Sequence, residues 1–269
     1  MTVPETGEGF LEISDKGFGF LRSPANRFQS KPTDIFVTPD MIKRNYLREG
    51  VQIEGSLRPP HKGNSPQLKE IKSINGMSHE EYVQKTRFEN LTTIDPIEKF
   101  QLETAPDQIE TRIIDLVTPI GKGTRGLIVA PPRTGKTTIL KQICNAVTTN
   151  HPDVKVIVML IDERPEEVTD FERSVDAEVV ASSNDMDLDT HVRLSRFVVE
   201  RCRRMVECGD DVFVLMDSLT RVSRAFNNVA GGSGRTMSGG VDARALEIPR
   251  RMFAAARKIE DGGSLTIIA

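Results

Sequence analysis

The eight residues Ala130-Pro-Pro-Arg-Thr-Gly-Lys-Thr137 constrain this chain more than any other feature. They follow an apolar run at 126–130 and open a stretch of helical period. That strand–loop–helix context is what a phosphate-binding loop requires. Successive backbone N–H groups and a helix N-terminus make a ready anion site. Lys136 can reach the outer phosphates of a nucleoside triphosphate as a point charge, and the Thr137 hydroxyl can hold Mg2+. Arg133, Thr134, Gly135 and Thr138 complete the cradle. The first loop position is Ala130 where glycine is usual, and the competing reading is a plain turn with a surface lysine.

From about residue 111 onward, strand-like and helix-like stretches alternate. Strands are expected at 126–130, 154–161, 178–181, 212–216 and 264–269, and helices at 136–149, 165–174, 188–207, 218–227 and 242–260. The unbroken apolar run Val156-Ile-Val-Met-Leu-Ile161 needs burial on both faces, as in a parallel sheet covered by helices. Two acidic positions sit where such sheets bind ligands, at the C-terminal ends of strands. Asp217 follows Phe213-Val-Leu-Met216 and is expected to hold Mg2+ through water. Its alternative role is to cap the next helix. Asp162-Glu163-Arg164 follows the strand at 154–161, and three ionisable groups there are costly unless solvated or used. Glu163 is the candidate general base for an attacking water. Arg164 is expected to contact phosphate or orient Glu163. The bland alternative is a helix start, with Asp162 as cap before Pro165.

The first third of the chain reads differently. Short strands at 9–14, 17–21, 34–37, 51–57 and 67–74 are broken by turn residues, and Thr38-Pro39-Asp40 opens a short helix. Five short strands with a helix between the third and fourth fit a small barrel of the oligonucleotide-binding type. In Gly17-Phe-Gly-Phe-Leu-Arg22, Phe18 and Phe20 share a strand face at period two, as bases are stacked on a sheet. Gly17 and Gly19 keep the backbone accessible, and Arg22 can meet a phosphate or stack on a base. Core packing of both phenylalanines explains this motif equally well. Charge favours nucleic acid: residues 10–76 hold 11 Lys/Arg against 7 Asp/Glu, net +4, whereas 77–269 hold 25 against 30, net −5. Residues 77–110 are polar and aperiodic and are expected to be a linker with one short helix near 79–85. The domains expected are therefore 1–76, the barrel, and 111–269, the nucleotide-binding domain.

Other classes of function are disfavoured. The longest apolar run is far too short to cross a bilayer, and the first ten residues do not form a signal peptide, so no membrane partner and a cytoplasmic location are expected. Cys144, Cys202 and Cys208 are irregularly spaced, without the paired pattern of a metal site. The helix at 188–207 carries a core stripe and a solvated charged face. Five glycines among residues 231–240, with Arg235 as the one charge there, suit a moving substrate contact as well as an idle connection.

Taken together, GFGFLR at 17–22, GLIVAPPRTGKT at 126–137, LIDERPEEVTDF at 160–171, LMDSLTR at 215–221 and GGVDARAL at 239–246 resemble the bacterial transcription termination factor Rho family, in the family's order. The resemblance implies a cold-shock-like RNA-binding barrel followed by a RecA-like ATPase domain. It further implies a homohexameric ring that uses ATP and Mg2+ to move along single-stranded RNA and unwind RNA–DNA hybrid, with RNA polymerase or elongation factors as further partners. Glu163 resembles the family's catalytic glutamate and Arg164 a nucleotide contact. Gly121, Lys122, Gly123, Thr124, Arg125 and Gly126 resemble a further nucleotide-contacting stretch. The segment from Gly17 through Leu21 to Arg22, with Asp34, Ile35 and Phe36, resembles the primary RNA-binding segments, and Arg235 falls in the first central-channel loop.

Some departures from the family pattern carry expectations of their own. The family often has an aromatic about fifty residues beyond GFGF; Asn64-Ser-Pro66 stands there, which weakens the case for cytosine selectivity. A helical subdomain before the barrel and everything after Ala269 are missing relative to the family, including an arginine finger worth about 10³–10⁵ in rate. The sequence is expected to be a piece of a longer ATPase, nearly inactive by itself. The alternatives are another RecA-like ring ATPase, or a nucleotide-regulated RNA-binding module without turnover.

Overall fold

The alternation of apolar and polar residues near the N-terminus is realised as a closed barrel. In the computed structural model the described residues are 5–60, 64–131, 133–229, 236–237, 241–242 and 245–269. They divide into two units, one of Met1–Asn90 with Phe197–Cys208, the other of Leu91–Arg196 with Gly209–Ala269.

The first unit holds β1 (Thr6–Ile13), β2 (Gly19–Arg22), β3 (Ile35–Val37), α1 (Pro39–Arg44), β4 (Gln52–Arg58), β5 (Gln67–Ile74) and α2 (His79–Gln84). Its strands close in the order β1-β2-β3-β5-β4, antiparallel except where β3 meets β5. Inward side chains, among them Leu11, Leu21, Val37, Ile53 and Leu68, fill the interior. Pairing of β1 with β2 ends at Ile13↔Gly19, and Ser14 N donates to Phe18 O at 2.8 Å across the turn. Gly17, expected inside a strand, sits in that turn with φ +83°, which an L side chain adopts only with strain. Gly19 opens β2 because a Cβ there would lie 2.6 Å from Leu11 Cδ1. Thr38 caps α1 by accepting from Met41 N at 3.2 Å, and Pro39 takes the first helical position, as its sequence implies. A capping box of Ser78 and Glu81 starts α2.

The second unit contains β6 (Thr93–Ile94), α3 (Ile109–Val117), β7 (Arg125–Gly126), α4 (Lys136–Asn150), β8 (Lys155–Glu163), α5 (Pro165–Ser174) and β9 (Glu178–Ser183). There follow α6 (Leu188–Glu207), whose residues from Phe197 on belong to the first unit, β10 (Asp211–Asp217), α7 (Leu219–Val229), β11 (Thr236–Met237), β12 (Val241–Asp242), α8 (Glu247–Phe253), β13 (Arg257–Ile259) and β14 (Ser264–Ile268). The described residues form a seven-stranded sheet ordered β6-β13-β14-β10-β8-β9, with β7 on β14. Strands β7, β14, β10, β8 and β9 run parallel; β13 and β6 are antiparallel additions. The 154–161 run becomes β8 between two parallel neighbours, with residues from Val156 to Ile161 all buried. The stretch expected as a linker divides between the units: Tyr82 and Phe88 are buried in the first, Phe100 and Leu102 in the second.

Further expectations fail in the second unit. The helix expected over 242–260 is only Glu247–Phe253, flanked by β12 and by β13. Pro249 lacks an N–H and restricts the residue before it, and Arg257–Ile259 gains more from pairing with β14 and β6 than from continuing a helix. The strand expected at 126–130 is regular only at Arg125–Gly126, although Ile128 N still donates to Ala269 O at 2.7 Å. Helix α3, whose N-terminal end falls within the segment read as aperiodic, was not expected at all.

Candidate functional site

The phosphate loop departs from regular structure where its chemistry asks it to. Arg133 and Gly135 both take left-handed backbone, φ +63° and +88°, so consecutive amides turn from the strand direction towards the start of α4. Thr134 Oγ1 donates to Pro131 O at 2.7 Å and closes the loop on itself, leaving Thr134 and Thr138 exposed and Thr137 half-buried at the helix start. Pro132 lies outside the described residues. Lys136 extends to the end of β10, where its ammonium pairs with Asp217 Oδ1. An open cavity of about 610 Å³ borders Lys136 and is also lined by Ile128, Ala130, Ser218 and Arg224.

Asp217 and Glu163 end neighbouring parallel strands, and both are buried at 5% exposure. Burial is the main reason the Glu163 carboxyl is pushed up to about 8; Glu167 and the negative charge of Asp217 act in the same direction, against Arg221. Arg221, in the first turn of α7, grips Glu163 with Nε to Oε1 at 2.9 Å and Nη2 to Oε2 at 3.2 Å. Its Nη1 donates to the backbone O of Asp162 at 2.6 Å. Asp162 is the extra residue of a bulge in β8, since Ile161 pairs with Ser182 and Glu163 with Ser183, and its φ is +59°. Such bulges re-aim the next side chain. Arg221 was not singled out by sequence reasoning. Its only signal was its place four residues beyond Asp217, which puts it on the first turn of a helix leaving the same strand end. Arg164 occupies the position before α5 without a side-chain capping bond, and is exposed.

A Mg2+ ion fits this donor set only as a partner of phosphate. Among the described residues no group of three or more His, Cys, Asp or Glu could hold a metal ion. One buried carboxylate, Asp217, with the Thr137 hydroxyl leaves the remaining positions to phosphate oxygens and water, which is how Mg2+ is usually held at nucleotide sites.

Within the stretch from Gly121 to Gly126, Lys122 is not brought to the loop's phosphate end. Lys122 Nζ pairs with Glu98 at 2.7 Å and with Asp211 at 2.8 Å. Asp211 starts β10 and Asp217 ends it, a separation of roughly 20 Å along the strand. Gly121 N donates to Thr124 Oγ1 at 3.0 Å and Gly123 N to Thr266 Oγ1 at 2.8 Å, so this turn is tied to the sheet. Arg125 and Gly126 form β7.

In the barrel, Phe18, Phe20 and Phe36 form an aromatic cluster with centroids 5.8, 5.6 and 5.6 Å apart. All three are half-buried and lie outside the core cluster, which takes Leu21 and, in part, Ile35 instead. The third ring comes from β3, and Phe36 N donates to Pro66 O at 2.8 Å, so the 64–66 segment meets the cluster through backbone. Arg22, 7% exposed, pairs with both Glu12 and Asp34 and reaches Ser30 Oγ at 3.1 Å, with its guanidinium 5.1 Å from the Phe20 ring. Asp34 also accepts from Lys31 N at 2.7 Å. Arg22 and Asp34 are thus buried in one ion network, with Arg22 on the strand face that Phe20 shares. Arg235 lies outside the described residues.

Comparison with known proteins finds two families along the chain. The family described as "Rho termination factor, RNA-binding domain" matches residues 7–80, and "ATP synthase alpha/beta family, nucleotide-binding domain" matches 110–269. A transcription termination factor Rho of Chromobacterium violaceum is 49% identical over 98% of this chain and 64% of its own length. One of Karelsulcia muelleri is 46% identical over 96% of this chain and 68% of its own. Among solved structures, an ATPase of a bacterial type III secretion system superposes with TM-score 0.56 at 21% identity, covering 79% of this chain and 57% of that one, which supports the RecA-like fold alone. The chain spans 63 to 64% of the length of the first curated relatives it matches. No helix among the described residues is long and apolar enough to cross a membrane.

Proposed function

This chain belongs to the transcription termination factor Rho family, and from that premise we propose that it binds ATP with Mg2+ at Lys136 and Thr137 and hydrolyses it with Glu163 as general base. The Phe18–Phe20–Phe36 face takes up single-stranded RNA. In the whole protein these activities serve a homohexameric, cytoplasmic RNA translocase and helicase that ends transcription, acting on RNA polymerase or its elongation factors.

The observation that carries this reading is the convergence of Lys136, Asp217 and Glu163 at the C-terminal ends of adjacent parallel strands. Lys136, which pairs with Asp217, is placed to reach the outer phosphates of ATP. Mg2+, when bound, supplies positive charge beside those phosphates, with Thr137 and Asp217 on its protein side. Glu163 accepts the proton of the attacking water, and the two-pronged hold of Arg221 fixes where its carboxylate points. Arg164, exposed beside it, supplies a nucleotide contact, as do Arg133, Thr134, Gly135 and Thr138 of the loop. For Gly121 to Thr124 the reading is weaker, because that turn is tied to the sheet and Lys122 serves the other strand end, whereas Arg125 and Gly126 pair at the C-terminal end of β14 and lead into the loop.

The decisive experiment replaces Glu163 in the full-length protein. Glu163→Gln is expected to retain ATP binding while RNA-stimulated turnover falls by at least about a hundredfold. Unchanged turnover would remove Glu163 from the chemistry. An ATP-binding wild type without turnover would favour the regulatory RNA-binding module instead.

A further inference from the structure

One buried polar pair beside the site has no role in the reading above. His191, near the start of α6, is 2% exposed, and Ser182 on β9 is fully buried. The Ser182 hydroxyl hydrogen-bonds the ring at Nδ1. The other ring nitrogen, Nε2, faces Asp162 Oδ1 at 4.0 Å. Asp162 Oδ2 lies 3.6 Å from Arg221 Nη1. The two oxygens of one carboxylate therefore look to different partners, His191 on one side and Arg221 on the other. Ser182 pairs with Ile161, immediately before the bulge, so the pair sits beside the residue that the ladder skips.

We propose that His191 is a positioning residue for Glu163, holding the Asp162 bulge in place through a ring oriented by Ser182. This rests on the hydrolytic reading of the site. The Ser182 hydroxyl has a weak thioether acceptor in Met186 Sδ at 3.6 Å and a strong one in Nδ1; donated to Nδ1, its proton leaves the ring proton on Nε2, directed at Asp162. Burial holds the ring below its ordinary pKa, while Asp162, Asp187 and Asp185, the carboxylates that act on it, pull the other way. A neutral donor suits this place. Buried against the bulge, the ring packs beside Asp162 and turns its Nε2–H dipole to the carboxylate, without cancelling the charge that Arg221 shares between Asp162 and Glu163. Left-handed backbone at a non-glycine residue persists only where its surroundings over-determine it; the Asp162 backbone oxygen is held by Arg221, and the His191 ring lies in van der Waals reach of its carboxylate. Loosening one support lets the bulge relax and swings the next side chain, and a displacement of about 1 Å in a reacting group costs up to about a hundredfold in rate.

The test is steady-state ATP hydrolysis by the full-length protein with RNA, comparing wild type, His191→Ala, His191→Gln, Ser182→Ala and, as a control, Glu163→Gln. His191→Ala is expected to lower kcat about tenfold or more while the KM for ATP stays within about twofold. Ser182→Ala is expected to fall in the same direction by less. His191→Gln, whose amide can place an N–H near the position of Nε2, is expected to recover most of the loss even if its melting temperature is as low as that of the alanine variant. Wild-type kcat in His191→Ala overturns the inference, as does a loss in which kcat, KM and melting temperature change together without rescue by glutamine. A wild type that shows no turnover fails differently, because it removes the hydrolytic reading and this inference with it.

Discussion

Two buried ionic groups show how single residues are committed by their surroundings. Arg22 neutralises Glu12 and Asp34 beside the Phe20 ring, so its removal takes the shared guanidinium from two buried carboxylates. Arg22→Ala should cost about 3–5 kcal/mol in urea denaturation of the whole chain, and Arg22→Lys should not restore it, because a point charge cannot serve two carboxylates and a hydroxyl in one plane. Intact stability with weakened RNA binding would instead make Arg22 a phosphate ligand. Glu163 is the opposite case. Its carboxyl titrates at about 8 in the folded chain, above its ordinary value of 4.5. The folded state therefore keeps the proton longer than the unfolded state, and the stability this confers is complete below about 4.5 and lost as pH rises through about 8. Melting curves of the ligand-free protein should show Glu163→Gln gaining on wild type between pH 5 and about 8 and holding its lead above. A gap independent of pH would show that Glu163 is ionised throughout that range.

At the level of elements, glycines mark where backbones approach too closely for a side chain. Gly123 has φ +102°, and a Cβ there would lie 2.3 Å from Lys258 N on β13. Gly123→Ala should destabilise by at least about 1–3 kcal/mol through forced displacement, with ATP affinity of the folded protein unchanged within twofold. Thermal melting and nucleotide titration separate the outcomes: lost affinity at an unchanged melting temperature would make this turn a nucleotide contact. Elements themselves differ in how legible they are. Helices α4, α5 and α6 were readable because each combines a start signal with a long amphipathic period, and β8 and β10 because their apolar runs admit no other burial. Arg257–Ile259 was not readable. Three residues carry no period, and a partner strand, available only after folding, decides their state.

Across the whole molecule, nucleotide chemistry and base stacking are assigned to separate units, so each should be removable alone. Phe20→Ala should weaken single-stranded RNA binding by about tenfold at an unchanged salt slope, since base stacking is worth about 1–3 kcal/mol and phosphate contacts set the slope. ATP binding should be untouched. Indifference of RNA binding to Phe20 would return the aromatic cluster to a packing role. Local order was enough for the sequence alone to determine the phosphate loop, the acidic ends of two parallel strands and the five-stranded barrel. Motif spacing and periodicity are properties of neighbouring residues. Only the tertiary structure decided that Phe36 completes the aromatic cluster, that Arg22 and Asp34 are buried as an ion pair, that Lys122 serves Asp211, and that Arg221 and His191 flank the bulge behind Glu163. These pairings join residues 12 to 89 positions apart in the chain, and their partners are chosen by strand register and burial, which no local pattern encodes.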